Sequence, residues 1–139
     1  MVFKYFVDSD VILDYFLKRT PFNILARQIF QLAFNNKIEV ATSSLAISNI
    51  HYVSKKQIGS QESMRLIEDF IEVCKVLPVS ENEIHLALKS NFSDFEDAIQ
   101  IYTAASDSKI KGIITRNVKD YKESTLHIFS PTELLALFK

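Results

Sequence analysis

The chain has 139 residues, 47% hydrophobic and 24% charged, which is long enough to bury a core without disulfide or metal staples. A formal net charge of −1 gives no argument for nucleic-acid binding, and the single cysteine, Cys74, excludes an intramolecular disulfide and a cysteine zinc cluster. Two Gly, three Pro and no repeat or low-complexity run predict one domain, 1–139, with no flexible linker.

KYFVD (4–8) combines aromatic and β-branched residues and reads as a buried strand ending in an acid. DVILDYFLK (10–18) follows with helical spacing. Asp8, Asp10 and Asp14 interrupt the apolar runs here, which argues against a signal peptide, and no run is long enough to span a membrane. A cytoplasmic protein is expected. Thr20-Pro21 is placed as the N-cap and first position of a helix through FNILARQIFQLAFNN, with Ile24, Leu25, Ile29, Leu32 and Ala33 on its inner face.

IEVATS (38–43) reads as a second strand and SLAISNIHYVSKK (44–56) as a helix burying Leu45, Ile47, Ile50 and Val53. After Gly59, SQESMRLIEDFIEVCK reads as an amphipathic helix with Met64, Ile67, Ile71 and Cys74 inward. VLPVS (76–80) is a short strand, placed near an edge because Pro78 donates no ladder hydrogen bond. Ser80 and Glu83 form a capping-box pattern for ENEIHLALK, and a further helix runs from Ser93 to about Ser108. GIITRN (112–117) and LHIFS (126–130) are strands, and Ser130 to Glu133 caps a closing helix. Strands alternating with helices predict an α/β fold with a mostly parallel sheet, whose ligands gather beyond the C-terminal strand ends.

Three segments then bring oxygen donors to that edge. In SDFEDAIQ (93–100), Ser93 and Glu96 have capping-box spacing, while Asp94 and Asp97 share a face with Ala98, Ile101 and Ala105. Glu96 aligns instead with Gln100 and Thr103, on the side expected to be wetter. An acid on a buried face must be paired, protonated or bound to a cation, which singles out Asp97. Asp8 ends the first strand, where its structural role would be to cap the next helix, a task Ser9 or Asp10 would serve equally well. Asp14 reads as the partner of a Lys or Arg. Thr115, Asn117 and Asp120 add a hydroxyl, an amide and a carboxylate after the GIIT strand. Oxygen donors without His or Cys suit Mg²⁺ or Mn²⁺, ions that serve phosphoryl chemistry. His51, His85 and His127 are dispersed and read as surface or core residues.

FVDSDVILD, SLAISNIHYVSKK, FEDAIQIYTAA and IITRNVKDY, taken in order, resemble the successive motifs of PIN domains, above all the bacterial VapC-like toxin ribonucleases. The resemblance implies a PIN fold, a parallel sheet flanked by helices, with Mg²⁺- or Mn²⁺-dependent cleavage of RNA. It assigns catalysis to Asp8, Asp97 and Asp120, and metal binding to Asp8, Asp97, Asn117 and Asp120. Ser9 and Thr115 match small hydroxyl residues that line the site. Where the family usually has a Glu, this chain has Asn49, which has no charge to offset an ion; Asp94 is the candidate replacement. Arg116 and Lys119 are candidates for contacting the RNA backbone.

The expected function is therefore a metal-dependent endoribonuclease, the toxin of a type II toxin–antitoxin pair, working as a homodimer with a small antitoxin. The competing expectation, motivated by Asn49, is a weakly active or inactive PIN-like module that binds RNA or protein.

Overall fold

In a computed structural model, residues 1–122 and 124–139 are described. Strand β1 (Lys4–Val7) lies at the centre of a five-stranded sheet of order β3-β2-β1-β4-β5, formed with β2 (Glu39–Ser43), β3 (Cys74–Leu77), β4 (Ile110–Ile114) and β5 (His127–Phe129). Every neighbouring pair is parallel. A strand covered on both faces needs apolar side chains at successive positions, and β1 supplies them. Tyr5 and Val7 enter one core and Phe6 the other.

The first core is closed by α1 (Ser9–Phe16), α2 (Asn23–Phe34), α3 (Ser44–Ile58), α4 (Ser60–Phe70) and α7 (Pro131–Ala136). Its centre is aromatic: Phe16 and Phe30 each meet Phe70 edge to face, at 5.5 and 5.1 Å between centroids. The opposite face is covered by α6 (Phe95–Ala105), with α5 (Glu81–Lys89) packed outside it. Gly112 lets β4 and β5 approach closely, since a Cβ there would sit 2.5 Å from the His127 carbonyl oxygen. The chain passes from β1 outward to β2 and β3, then returns to β4 on β1's other side. The crevice beyond the ends of β1 and β4 is thus a topological switch point.

The α/β class, the parallel sheet, edge strand β3 and the two capping boxes at Ser80 and Ser130 agree with the reading of the sequence. Several local expectations are corrected. Helix α2 starts at Asn23, not Pro21, because a turn over residues 20–22 closes first through the Asn23 N–H on the Arg19 carbonyl, at 2.7 Å. Its inner face is Ala26, Ile29, Phe30 and Ala33, with Ile24 exposed. Helix α4 ends at Phe70, so Cys74 opens β3, where burial pushes its thiol up to about 12. Met64 and Ile71 are exposed because α4 turns its Ser63 and Phe70 side inward, toward α3 and the Phe16 and Phe30 rings.

Helix α6 is capped by Asp94 and not by Ser93. The Asp94 carboxylate accepts the Asp97 N–H at 2.9 Å, which moves the start of the helix one residue along. Gln100 and Thr103 are buried while Ala105 is exposed, the reverse of the expected wet and dry sides. The buried Ser43 hydroxyl donates to the Gln100 side-chain oxygen and also accepts the Ala46 N–H, so this polar pair joins β2, α3 and α6.

Candidate active site

Asp8 follows directly on β1 and is the N-cap of α1. Its Oδ1 accepts the Ser9 N–H at 2.7 Å, so the capping role and the site role belong to one side chain. Its Oδ2 accepts two hydroxyls, Thr115 Oγ1 at 2.9 Å and the Tyr121 phenol at 3.0 Å. Thr115 follows β4 and is fully buried; Tyr121 closes a 3-10 turn, Val118–Tyr121. Burial pushes the Asp8 carboxyl up, against the pull of these donors.

Asp10 lies in the first turn of α1 and fastens the turn after β4. Its Oδ2 accepts the Arg116 N–H at 3.2 Å and the Asn117 side-chain amide at 3.1 Å. Burial, followed by the Asp8 charge, raises Asp10 to about 7. Asp10 Oδ1 is buried with no hydrogen-bond partner among the described residues. Reading the sequence had left Asp10 as an alternative cap. The usable signal was its i+2 position from Asp8, opposite the amides of the TRN turn.

Asp97, half-buried in the first turn of α6, is raised to about 6 by burial and then by Asp94, Asp8 and Asp120. The charges of Asp94, Asp8 and Asp120 thus all reach the Asp97 carboxyl. Asp94 spends an oxygen on capping, and Asp120 is exposed at the rim on the 3-10 turn. Among the described residues, no three His, Cys, Asp or Glu side chains are grouped to hold an ion, so Asp8, Asp97 and Asp120 do not form a closed three-acid cluster.

The donor set still fits a hard divalent cation. It consists of oxygens, it carries excess negative charge, and it leaves a buried Asp10 oxygen unpartnered. An ion of the Mg²⁺ type needs only one or two protein carboxylates because it keeps several waters.

Arg116 is not free at the cleft. Its guanidinium donates to Asp14 through Nε at 2.6 Å and Nη2 at 3.1 Å, and lies 3.9 Å from the Phe22 ring centre. These contacts account for Asp14, which is almost wholly buried, and border a cavity of about 270 Å³ lined in part by Phe22, Leu25 and Thr132. Lys119 is exposed on the 3-10 turn. Asn49 is half-buried on α3, and Ser9 lies beside Asp8, its hydroxyl 3.5 Å from Oδ1. None of the histidines joins the site: His51 bonds Ser63, His85 lies near Glu81 on the surface, and His127 stacks on Phe129.

The PIN domain family model matches residues 4–119, and the chain belongs to that family. Ribonuclease VapC1 of Aquifex aeolicus (strain VF5) is 27% identical over 135 residues, covering 94% of this chain and 92% of the relative. The structure of VapBC-1 from nontypeable Haemophilus influenzae superimposes with a TM-score of 0.67 at 22% identity, over 93% of this chain and 98% of that one. A toxin–antitoxin complex from Klebsiella pneumoniae gives 0.68 at 19% identity, over 91% and 97%. The fold is that of these structures. Among the described residues, no helix is long and apolar enough to cross a membrane.

Proposed function

We propose that the protein is a metal-dependent endoribonuclease that hydrolyses RNA phosphodiester bonds and acts as the toxin of a type II toxin–antitoxin pair. The observation that carries this reading is Asp8 at the β1–β4 switch point, near enough to Asp97 that its charge helps to raise the Asp97 carboxyl. The 27% identity to a VapC ribonuclease supports it.

Asp8 and Asp97 would hold a Mg²⁺ or Mn²⁺ ion, with Asn117 and Asp120 completing the set directly or through water. Such an ion neutralises phosphate charge and lowers the pKa of a bound water. The chain's own residues do the positioning. Ser9 and Thr115 orient the Asp8 carboxylate through their donors. Asp10 grips the Asn117 amide nitrogen, a bond that does not use the Asn117 carbonyl oxygen. Asp120, exposed and near enough for its charge to reach Asp97, would take a proton from the attacking water. Lys119 is the better placed of the two cations for the RNA backbone, because Arg116 is held by Asp14.

The neighbours described as toxin–antitoxin complexes support a small antitoxin as partner, and Phe22, Ile24, Phe34 and Tyr52 leave apolar surface for it or for a second copy. The place of action would be the cytoplasm. Purified protein with Mn²⁺ is expected to cleave RNA, and Asp97→Asn is expected to abolish cleavage and to relieve growth arrest on expression. Absence of both effects sinks the proposal.

Asn49 favours a second reading, a weakly active PIN module that binds RNA or protein. Calorimetry separates the two. RNA binding without any Mn²⁺ site, unaffected by Asp8→Ala, supports the binding module.

A further inference from the structure

Tyr121 ends the IITRNVKDY motif with no assigned role, and its hydroxyl touches Asp8 directly. Its ring is 1% exposed, packed in the core beneath α6 with Phe6, Ile101 and Ile113. Phenylalanine would fill that space equally well. The hydroxyl is what the core does not require, because a buried phenol must find a partner.

That partner is Asp8 Oδ2, at 3.0 Å. The same oxygen accepts Thr115 Oγ1 at 2.9 Å, so its two in-plane lone pairs are both engaged. Oδ1 has one donor in good geometry, the Ser9 N–H at 2.7 Å, and keeps a lone pair. The carboxylate plane is therefore fixed by three donors, and Oδ1 is the oxygen left to face a ligand. The same phenol lies beside Asp97 and pulls its carboxyl down, against burial and the charges of Asp94, Asp8 and Asp120. Because the ring is locked by packing, the hydroxyl cannot swing away.

We propose that Tyr121 is a positioning residue: its hydroxyl orients Asp8 relative to Asp97 so that the pair receives a divalent cation through Asp8 Oδ1. This rests on the metal-dependent reading above. Groups that orient metal ligands are worth roughly 10–100-fold in metal affinity.

The test is Mn²⁺ calorimetry on the full chain as wild type, Asp8→Asn and Tyr121→Phe, with melting measured in chelator. Tyr121→Phe is expected to melt near the wild type yet bind Mn²⁺ at least about 10-fold more weakly. If Tyr121→Phe binds as the wild type does while Asp8→Asn abolishes binding, the role of Tyr121 is overturned and the metal-dependent reading stands. If the wild type binds no Mn²⁺, both fall. A measurement without the variant guards against misfolding: Mg²⁺ titration of the wild type should give a tyrosine ultraviolet difference band that saturates with the calorimetric isotherm. A flat spectrum overturns the proposal.

Discussion

Arg116 and Asp14 form a bidentate pair between the end of β4 and helix α1, with the Asp14 side chain 2% exposed and that of Arg116 26%. Breaking the pair from its two sides is not equivalent. Arg116→Ala leaves a buried carboxylate with only Arg19, 3.8 Å away, and should cost about 3–5 kcal/mol. Asp14→Ala leaves a guanidinium that can turn to solvent and keeps its Phe22 contact, so it should cost less, about 2 kcal/mol. Urea denaturation of both variants measures the difference; equal losses contradict the asymmetry.

Asp10 gives a pH signature. Its folded value of about 7 stands above an ordinary carboxylate value of about 4, so the folded state holds the proton more tightly. Its contribution to stability is complete below about pH 4 and is lost as pH rises toward 7. In chelator, the melting temperature of Asp10→Asn minus that of the wild type should therefore climb across this interval. A difference that stays flat or falls refutes the assignment.

The corrected cap of α6 can be tested by neighbouring substitutions. Asp94→Ala removes the acceptor for the Asp97 N–H and should destabilise by about 1 kcal/mol. Ser93→Ala should change stability by less than about 0.5 kcal/mol, as for a surface site. Asp94→Asn keeps the acceptor but drops the charge, so it should preserve stability and lower the Asp97 pKa, read by carboxyl NMR.

Gly112→Ala drives a methyl against the His127 carbonyl and the Phe129 ring, at 2.5 and 2.8 Å. Overpacking between two strands should cost about 1–3 kcal/mol in chemical denaturation. Wild-type stability in this variant would mean that β5 moves aside without penalty.

The strands and most helices were legible because each face needed apolar residues at periods that the chain supplies in order. What was missed depends on which neighbour an element meets. Helix α6 packs against the sheet on one side and α5 on the other, so Gln100 and Thr103 were drawn inside. Asp8 and Asp97 were legible as acids adjoining apolar runs. Tyr121 was not: next to Asp120 in a polar turn, its ring suggested only packing, and its hydroxyl gains meaning from a residue 113 positions away. Ser93 and Asp94 are both good caps, and spacing alone favoured the wrong one.

The long reach of these bonds also sets a birth order for the site. Asp8 meets Thr115 and Tyr121 across 107 and 113 residues, and Asp14 meets Arg116 across 102. During synthesis Asp8 leaves the ribosome 107 and 113 residues before Thr115 and Tyr121, the residues that orient it. A chain stopped before Thr115 carries Asp8 and Asp97 but lacks both hydroxyls that hold Asp8. The crevice is therefore assembled late relative to Asp8 itself, once Thr115 and Tyr121 have been made and have folded back onto it.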